Sequence, residues 1–231
     1  MTMCLVVRRS VLVPAAAALL AGPAAAQEGR LLVGAGPLYA RATGSLERYV
    51  AGAAGVSGFV AFGPAARTAR LRIDADFLRF APTTASRPYR GLQPVDITTG
   101  SQIFTAVAGP ELGVPVGPVR LAATAGVGLA TSTNTGAVTG IATPDRFSGA
   151  TTFGDLTLAY AGGGSLGLEL RGGRTPVWLD LSARYLGTGP TRWVREGNLP
   201  VGYISGVYLK PTRSPTTLVA YGVAVSVGVP R

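Results

Sequence analysis

The side chains able to carry chemistry are few, and the most suggestive are carboxylates. Asp74 and Asp76 lie two residues apart in an extended stretch, so both project to one side, about 7 Å apart by strand rise. Glu169 or Asp180 could approach them from elsewhere in the chain. Paired carboxylates can run glycoside hydrolysis, one as acid and one as nucleophile or base. The surroundings argue against it. Arg70 and Arg72 share the side of the two aspartates, and guanidinium groups favour the ionised carboxylate, which removes the general acid. The chain of 231 residues has no histidine. That excludes the Ser-His-Asp triad, the Cys-His dyad, histidine-ligated zinc and histidine-ligated haem. The single cysteine, Cys4, excludes a disulfide framework, and the scattered acids make poor metal ligands. Gly34-Ala35-Gly36 and Gly162-Gly163-Gly164 are superficially like phosphate loops, but a dinucleotide fingerprint needs a helix after the turn and none follows. The sequence thus predicts a non-enzymatic protein with no catalytic residues, no metal and no cofactor, whose charged residues pair structurally.

The elements that hold these residues are strands. Beyond Gln27 no helical periodicity persists, and large apolar residues alternate with small or polar ones. Val219, Tyr221, Val223, Val225, Val227 and Val229 alternate with Ala220, Gly222, Ala224, Ser226 and Gly228. The pattern predicts eight strands, at roughly 30–42, 49–62, 68–81, 101–113, 119–132, 155–171, 177–186 and 216–229. Short Gly/Pro turns follow the second, fourth and sixth. Longer connections at 82–100, 133–154 and 187–215, and a briefer one at 43–48, lie at the other end. That layout predicts an all-β fold, an eight-stranded antiparallel up-and-down transmembrane barrel. The stretch 201–209, placed in the last loop, is the first candidate for an additional strand. A helical span over 49–66 is disfavoured by its glycines and by Pro64.

Charge placement separates a membrane barrel from a soluble one. Arg70, Arg72, Asp74 and Asp76 lie opposite Leu71, Ile73 and Phe77; Glu169 and Arg171 share one side of their strand; Asp180 and Arg184 share one side of theirs. With Glu111 and Arg120 in the same scheme, five arginines meet five carboxylates, an expected closed lumen network. The polar side is otherwise rich in Gly, Ala, Ser and Thr, which suit the inside of a narrow barrel. A water-facing surface would carry more Lys and Glu, yet charged residues are only 14% of this chain. On the apolar side Tyr39, Phe77, Phe104, Tyr185 and Tyr221 gather near the long loops, as an interfacial aromatic girdle does.

The ends and loops add location and surface. Arg8-Arg9, the apolar run Val11–Gly22 and Ala24-Ala25-Ala26 form a signal peptide over residues 1–26, which leaves 27–231 as the barrel domain. The net charge of +10 is dispersed, so nucleic acid is not an expected partner. In the loops Arg87, Arg90, Arg192, Trp193, Arg195, Lys210 and Arg213 form cationic surfaces beside the girdle, suited to lipopolysaccharide phosphates.

The export signal, the short turns, the long loops and the Val/Gly/Tyr-rich last strand together resemble small bacterial outer-membrane barrels of the OmpA/OmpW type. The stretch Gly222-Val223-Ala224-Val225-Ser226-Val227 is similar to part of their C-terminal assembly signal. The resemblance implies residence in the outer membrane of a Gram-negative cell envelope, outer-membrane lipid and lipopolysaccharide as partners, and the barrel-insertion machinery during assembly; the sequence does not fix the oligomeric state, with a monomer favoured. It implies a structural or surface-interaction role. Two other readings stay open at this point: a small porin-like transporter for apolar solutes, and a soluble lipocalin-like binding barrel.

Overall fold

The computed structural model describes residues 29–48, 50, 52–64, 68–88, 94–140, 149–193 and 212–230. The expected signal peptide, the possible strand at 201–209, and Arg90, Arg195 and Lys210 lie outside the described residues. Eight strands run in chain order: β1 Gly29–Ala42, β2 Gly52–Pro64, β3 Ala69–Pro88, β4 Pro94–Val116, β5 Val119–Gly140, β6 Gly149–Arg171, β7 Val177–Trp193 and β8 Thr212–Pro230. Each pairs antiparallel with the next, and β8 returns to β1 to close the barrel. A short 3-10 helix, Gly44–Arg48, joins β1 to β2 and buries Leu46. The strand count and order are those the alternation predicts.

The strands reach further than expected at the long-loop end. β1 and β2 have 14 and 13 residues, whereas β4 and β6 each have 23. About 9–11 tilted residues cross a bilayer, so β3 to β6 rise well beyond it. Much of what the sequence suggests as loop at 82–100 and 133–154 is strand. The period-2 contrast needs one face in lipid. Above the bilayer both faces are polar, and the ladder is held by cross-strand threonines instead. Thr83 and Thr99 hydroxyls lie 2.7 Å apart, Thr84 and Thr98 3.0 Å, and Ser86 donates to Asp96.

The two faces of the wall have opposite polarity. Val56, Val127, Leu156, Leu158, Leu168 and Val225 are exposed on the outside, while Arg72, Asp74, Asp76, Glu111, Arg120, Asp180 and Arg184 are buried inside. Among the described residues no second layer covers the apolar outer face. A charge facing lipid would cost about 2–4 kcal/mol at mid-depth, and turning the charges inward avoids that cost. This is a transmembrane barrel, and the polarity is the reverse of a soluble lipocalin-like one.

Three ladders carry a one-residue irregularity: between Phe80 and Thr83 on β3, Glu169 and Arg171 on β6, and Gly187 and Pro190 on β7. An extra residue in one strand swaps the faces of everything beyond it. Two of these bulges correct the expected site.

Candidate functional site

The lumen is built in three levels. At the short-turn end Arg120 donates from Nη2 to Asp180 Oδ1 at 2.9 Å. The Ser226 hydroxyl donates to Asp180 Oδ2, and the Arg120 guanidinium lies 5.4 Å from the Trp178 ring. Leu32, Phe59 and Ala61 pack beneath, with Trp178 and Ala224 against them.

The middle level is a continuous ion-pair chain. Arg70 Nη1 lies 3.9 Å from Glu111 Oε1, and Arg72 Nη1 lies 2.8 Å from Glu111 Oε2. Arg72 also grips Asp74, Nη2 to Oδ1 at 2.9 Å and Nε to Oδ2 at 3.0 Å. From across the barrel Arg184 reaches Asp74 Oδ1 at 2.7 Å through Nη1 and Asp76 Oδ1 at 2.8 Å through Nη2. The same Nη2 donates to Ser57 Oγ at 3.1 Å. The Arg72 guanidinium also stacks 3.7 Å from the Phe59 ring centroid. Asp74 and Asp76, the sequence's only suggestive pair, are thus both claimed by arginines. Asp180 is taken by Arg120, and Glu169 lines the short-turn mouth. Paired, buried carboxylates of this kind act as acceptors in a salt-bridged interior, and the space beside Arg72, Asp74 and Arg184 is only about 10 Å³.

The upper level is apolar. Leu38, Ala40, Ala42, Leu46, Ala53, Leu78, Phe80, Ile103, Leu186, Trp193, Leu218 and Ala220 form one buried cluster. Phe80 and Trp193 meet edge to face, with centroids 5.5 Å apart. Side chains fill the upper barrel, as eight strands allow.

Of the ten residues expected in the lumen network, the ion pairs join Arg70, Arg72, Asp74, Asp76, Glu111, Arg120, Asp180 and Arg184. Glu169 lines the short-turn mouth with no ion pair among the described residues, and Arg171 is displaced. The β6 bulge pairs it with Val177, an outward position, and leaves it exposed at the rim. Of the expected set, the described lumen therefore keeps four arginines, at 70, 72, 120 and 184, against five carboxylates. All five expected girdle aromatics are exposed on the outer wall. Tyr39 faces Tyr221 across the β1–β8 seam, and Phe77 faces Phe104 across β3–β4. Tyr160, not singled out in the sequence, joins them, with its ring 6.2 Å from that of Tyr185.

The expected lipopolysaccharide set is changed more. Trp193 is 1% exposed. The β7 bulge turns it inward, where it plugs the lumen and contacts nothing outside. Arg192 is on β7, its side chain held by Asp155 at 2.9 Å and by the Gly154 carbonyl at 2.7 Å. Its charge is matched inside the protein. Arg213 is exposed on β8. Arg87 lies on β3.

No protein-family model matches the sequence, and no curated protein matches it. Among solved structures the chain is similar to the attachment invasion locus protein Ail of Yersinia pestis, solved alone and with the heparin analogue sucrose octasulfate. Against the latter the identity is 13% and the TM-score 0.47, over 87% of this chain and 99% of Ail. It is similar to Neisserial surface protein A at 16% identity and TM-score 0.35, over 86% of this chain and 96% of that one. A major outer membrane protein of Thermus thermophilus aligns at 12% identity and TM-score 0.41, over 87% of this chain and 99% of that one. The fold assignment here rests on the closed strand ladder of this chain itself.

Proposed function

We propose that this protein is a non-enzymatic outer-membrane barrel with a structural or surface-interaction role. The observation that supports this reading is the coincidence of an uncovered apolar wall and aromatic girdle with an ion-paired, plugged interior. The wall needs lipid, and the interior offers no through-path for solute. The strands that rise past the girdle supply a polar surface for contact outside the cell. Of the expected lipopolysaccharide set, contact rests on Arg213, exposed on β8, since Trp193 and Arg192 are engaged internally. The heat-resistant fold expected of such a barrel gives the test. The protein should fractionate with outer membranes, require detergent, and migrate differently in boiled and unboiled gels. Native protein in the soluble periplasm would overturn the reading.

The plug makes a second expectation. An apolar-solute transporter would require Phe80, Trp193, Leu186 and Leu218 to part, and a water-filled pore would also require the Arg184 pairs to break. Planar-bilayer recordings of refolded protein should show no steady conductance, only rare brief openings. Large, lasting conductance in most insertions would mean that the upper lumen is open and would favour the porin-like reading.

A further inference from the structure

A cavity of about 360 Å³ opens at the short-turn mouth, lined by Leu31, Leu32, Arg70, Arg120, Glu169 and Trp178 among others. Its wall carries Arg70 and Arg120 against Glu111 and Glu169, and the pairing among them is uneven. Arg70, Arg72 and Arg184 are matched by Asp74, Asp76 and Glu111, and Arg120 by Asp180. With Arg171 displaced by the β6 bulge, Glu169 is the carboxylate of the expected network that no ion pair among the described residues takes. That residue is half-buried in the cavity wall. Its backbone N–H donates to the Pro118 carbonyl at 2.8 Å, but its carboxylate has neither an ion pair nor a hydrogen bond among the described residues. Its carboxylate lies over Gly172, where any Cβ would come within 2.8 Å of Oε1, so the turn leaves room for it at the mouth.

We propose that this vestibule binds a small organic cation, an alkylammonium or alkylguanidinium, with its head on Glu169 and its carbon chain along Leu32 and Trp178. An anion would have to compete with Asp180 for Arg120 and with Glu111 for Arg70. Among the described residues a cation meets no competing ion pair at Glu169. A divalent metal is a poorer fit, since no group of three or more metal-ligating side chains assembles among the described residues. The Trp178 indole and the leucines favour a head carried on carbon, through cation–π and apolar contact. The cavity volume of about 360 Å³ is ample for a four-carbon amine.

The chain supplies its own reporter. It has two tryptophans, and Trp193 lies in the plug, so Trp193→Phe leaves Trp178 as the only indole. Butylammonium chloride added to this variant in detergent should change its fluorescence saturably. Sodium chloride at equal ionic strength, butanol and butyrate should not. Glu169→Gln in the same background should weaken the response about tenfold or more while the folded gel band persists. The proposal is overturned if butylammonium gives no saturation, if Glu169→Gln responds equally, or if butyrate binds as well. Should Trp193→Phe fail to fold, the same comparison is read as a thermal midpoint in the otherwise unsubstituted chain. A ligand bound only to the folded state raises that midpoint, and the rise should vanish in Glu169→Gln.

Discussion

Arg184→Ala is expected to lower the unfolding free energy by about 3–5 kcal/mol, the usual consequence of removing one side of a buried ion pair. Arg184 is 4% exposed and is the link between strands on opposite sides of the barrel. It joins β7 to Asp74 and Asp76 on β3 and to Ser57 on β2. Without it Asp74 keeps Arg72, but Asp76 keeps only the Thr105 hydroxyl at 3.4 Å. A carboxylate in that position has lost water and gained nothing. Arg184→Lys should recover only part of the loss, because a single ammonium cannot fork between two carboxylates. Adding Asp76→Asn to Arg184→Ala should also recover part, since it removes the stranded charge; the coupling measures the pair. The measurement is the urea midpoint of refolded protein, followed by gel mobility. An unchanged midpoint for Arg184→Ala would mean that the middle of the lumen is hydrated enough to solvate Asp76.

The legible part of this fold is the part that lipid dictates. Where one face of a strand meets hydrocarbon, as at Leu71 to Phe77 or Val219 to Val229, the alternation is strict. Strand count, closure, charge side and girdle follow from it. Legibility fails where that contrast stops or slips. Thr83, Thr84, Thr98 and Thr99 form strand pairs, but they look like loop because water on both faces imposes no period. Arg171 is misplaced for another reason: it lies just beyond a bulge, and one inserted residue inverts the side of every residue after it. Trp193, read as a loop residue, lies on β7, and a bulge before it turns it inward. The Gly187-Thr188-Gly189-Pro190 run was the available sign for Trp193, since glycine and proline in a strand mark bulges. The three-level layering of the lumen is beyond parity altogether. Parity gives a side chain its face, but which residues share a level depends on stagger between strands, and only the register supplies that.

The other large effect concerns closure. Gly36→Ala is expected to abolish assembly of the folded barrel. A Cβ at Gly36 would lie 1.9 Å from the Val223 carbonyl oxygen and 2.7 Å from the Ala224 Cα. Both are backbone atoms of β8, so no rotamer change relieves the overlap. Relief requires β1 and β8 to part, and that is the seam that joins the first strand to the last. The seam is already thin there. Pairing runs from Arg30↔Pro230 to Ala35↔Val225 and resumes in the same register at Leu38↔Gly222, skipping Gly36 and Pro37. Pro37 has no N–H to donate. The same arrangement occurs at Gly109-Pro110 on β4, where pairing with β5 skips from Ala108↔Val127 to Glu111↔Thr124 and a Cβ at Gly109 would meet the Ala125 oxygen at 2.0 Å. Ordinary overpacking costs roughly 1–3 kcal/mol, and a backbone clash at two strands drawn this close should exceed it. Gly58→Ala is the control, because the nearest atom to a Cβ there is the Gly34 oxygen at 3.8 Å. In refolding trials Gly58→Ala should give the compact unboiled band in normal yield, Gly109→Ala a much reduced yield, and Gly36→Ala essentially none. Equal yields from Gly36→Ala and Gly58→Ala would show that β1 and β8 close at a wider spacing than this seam has.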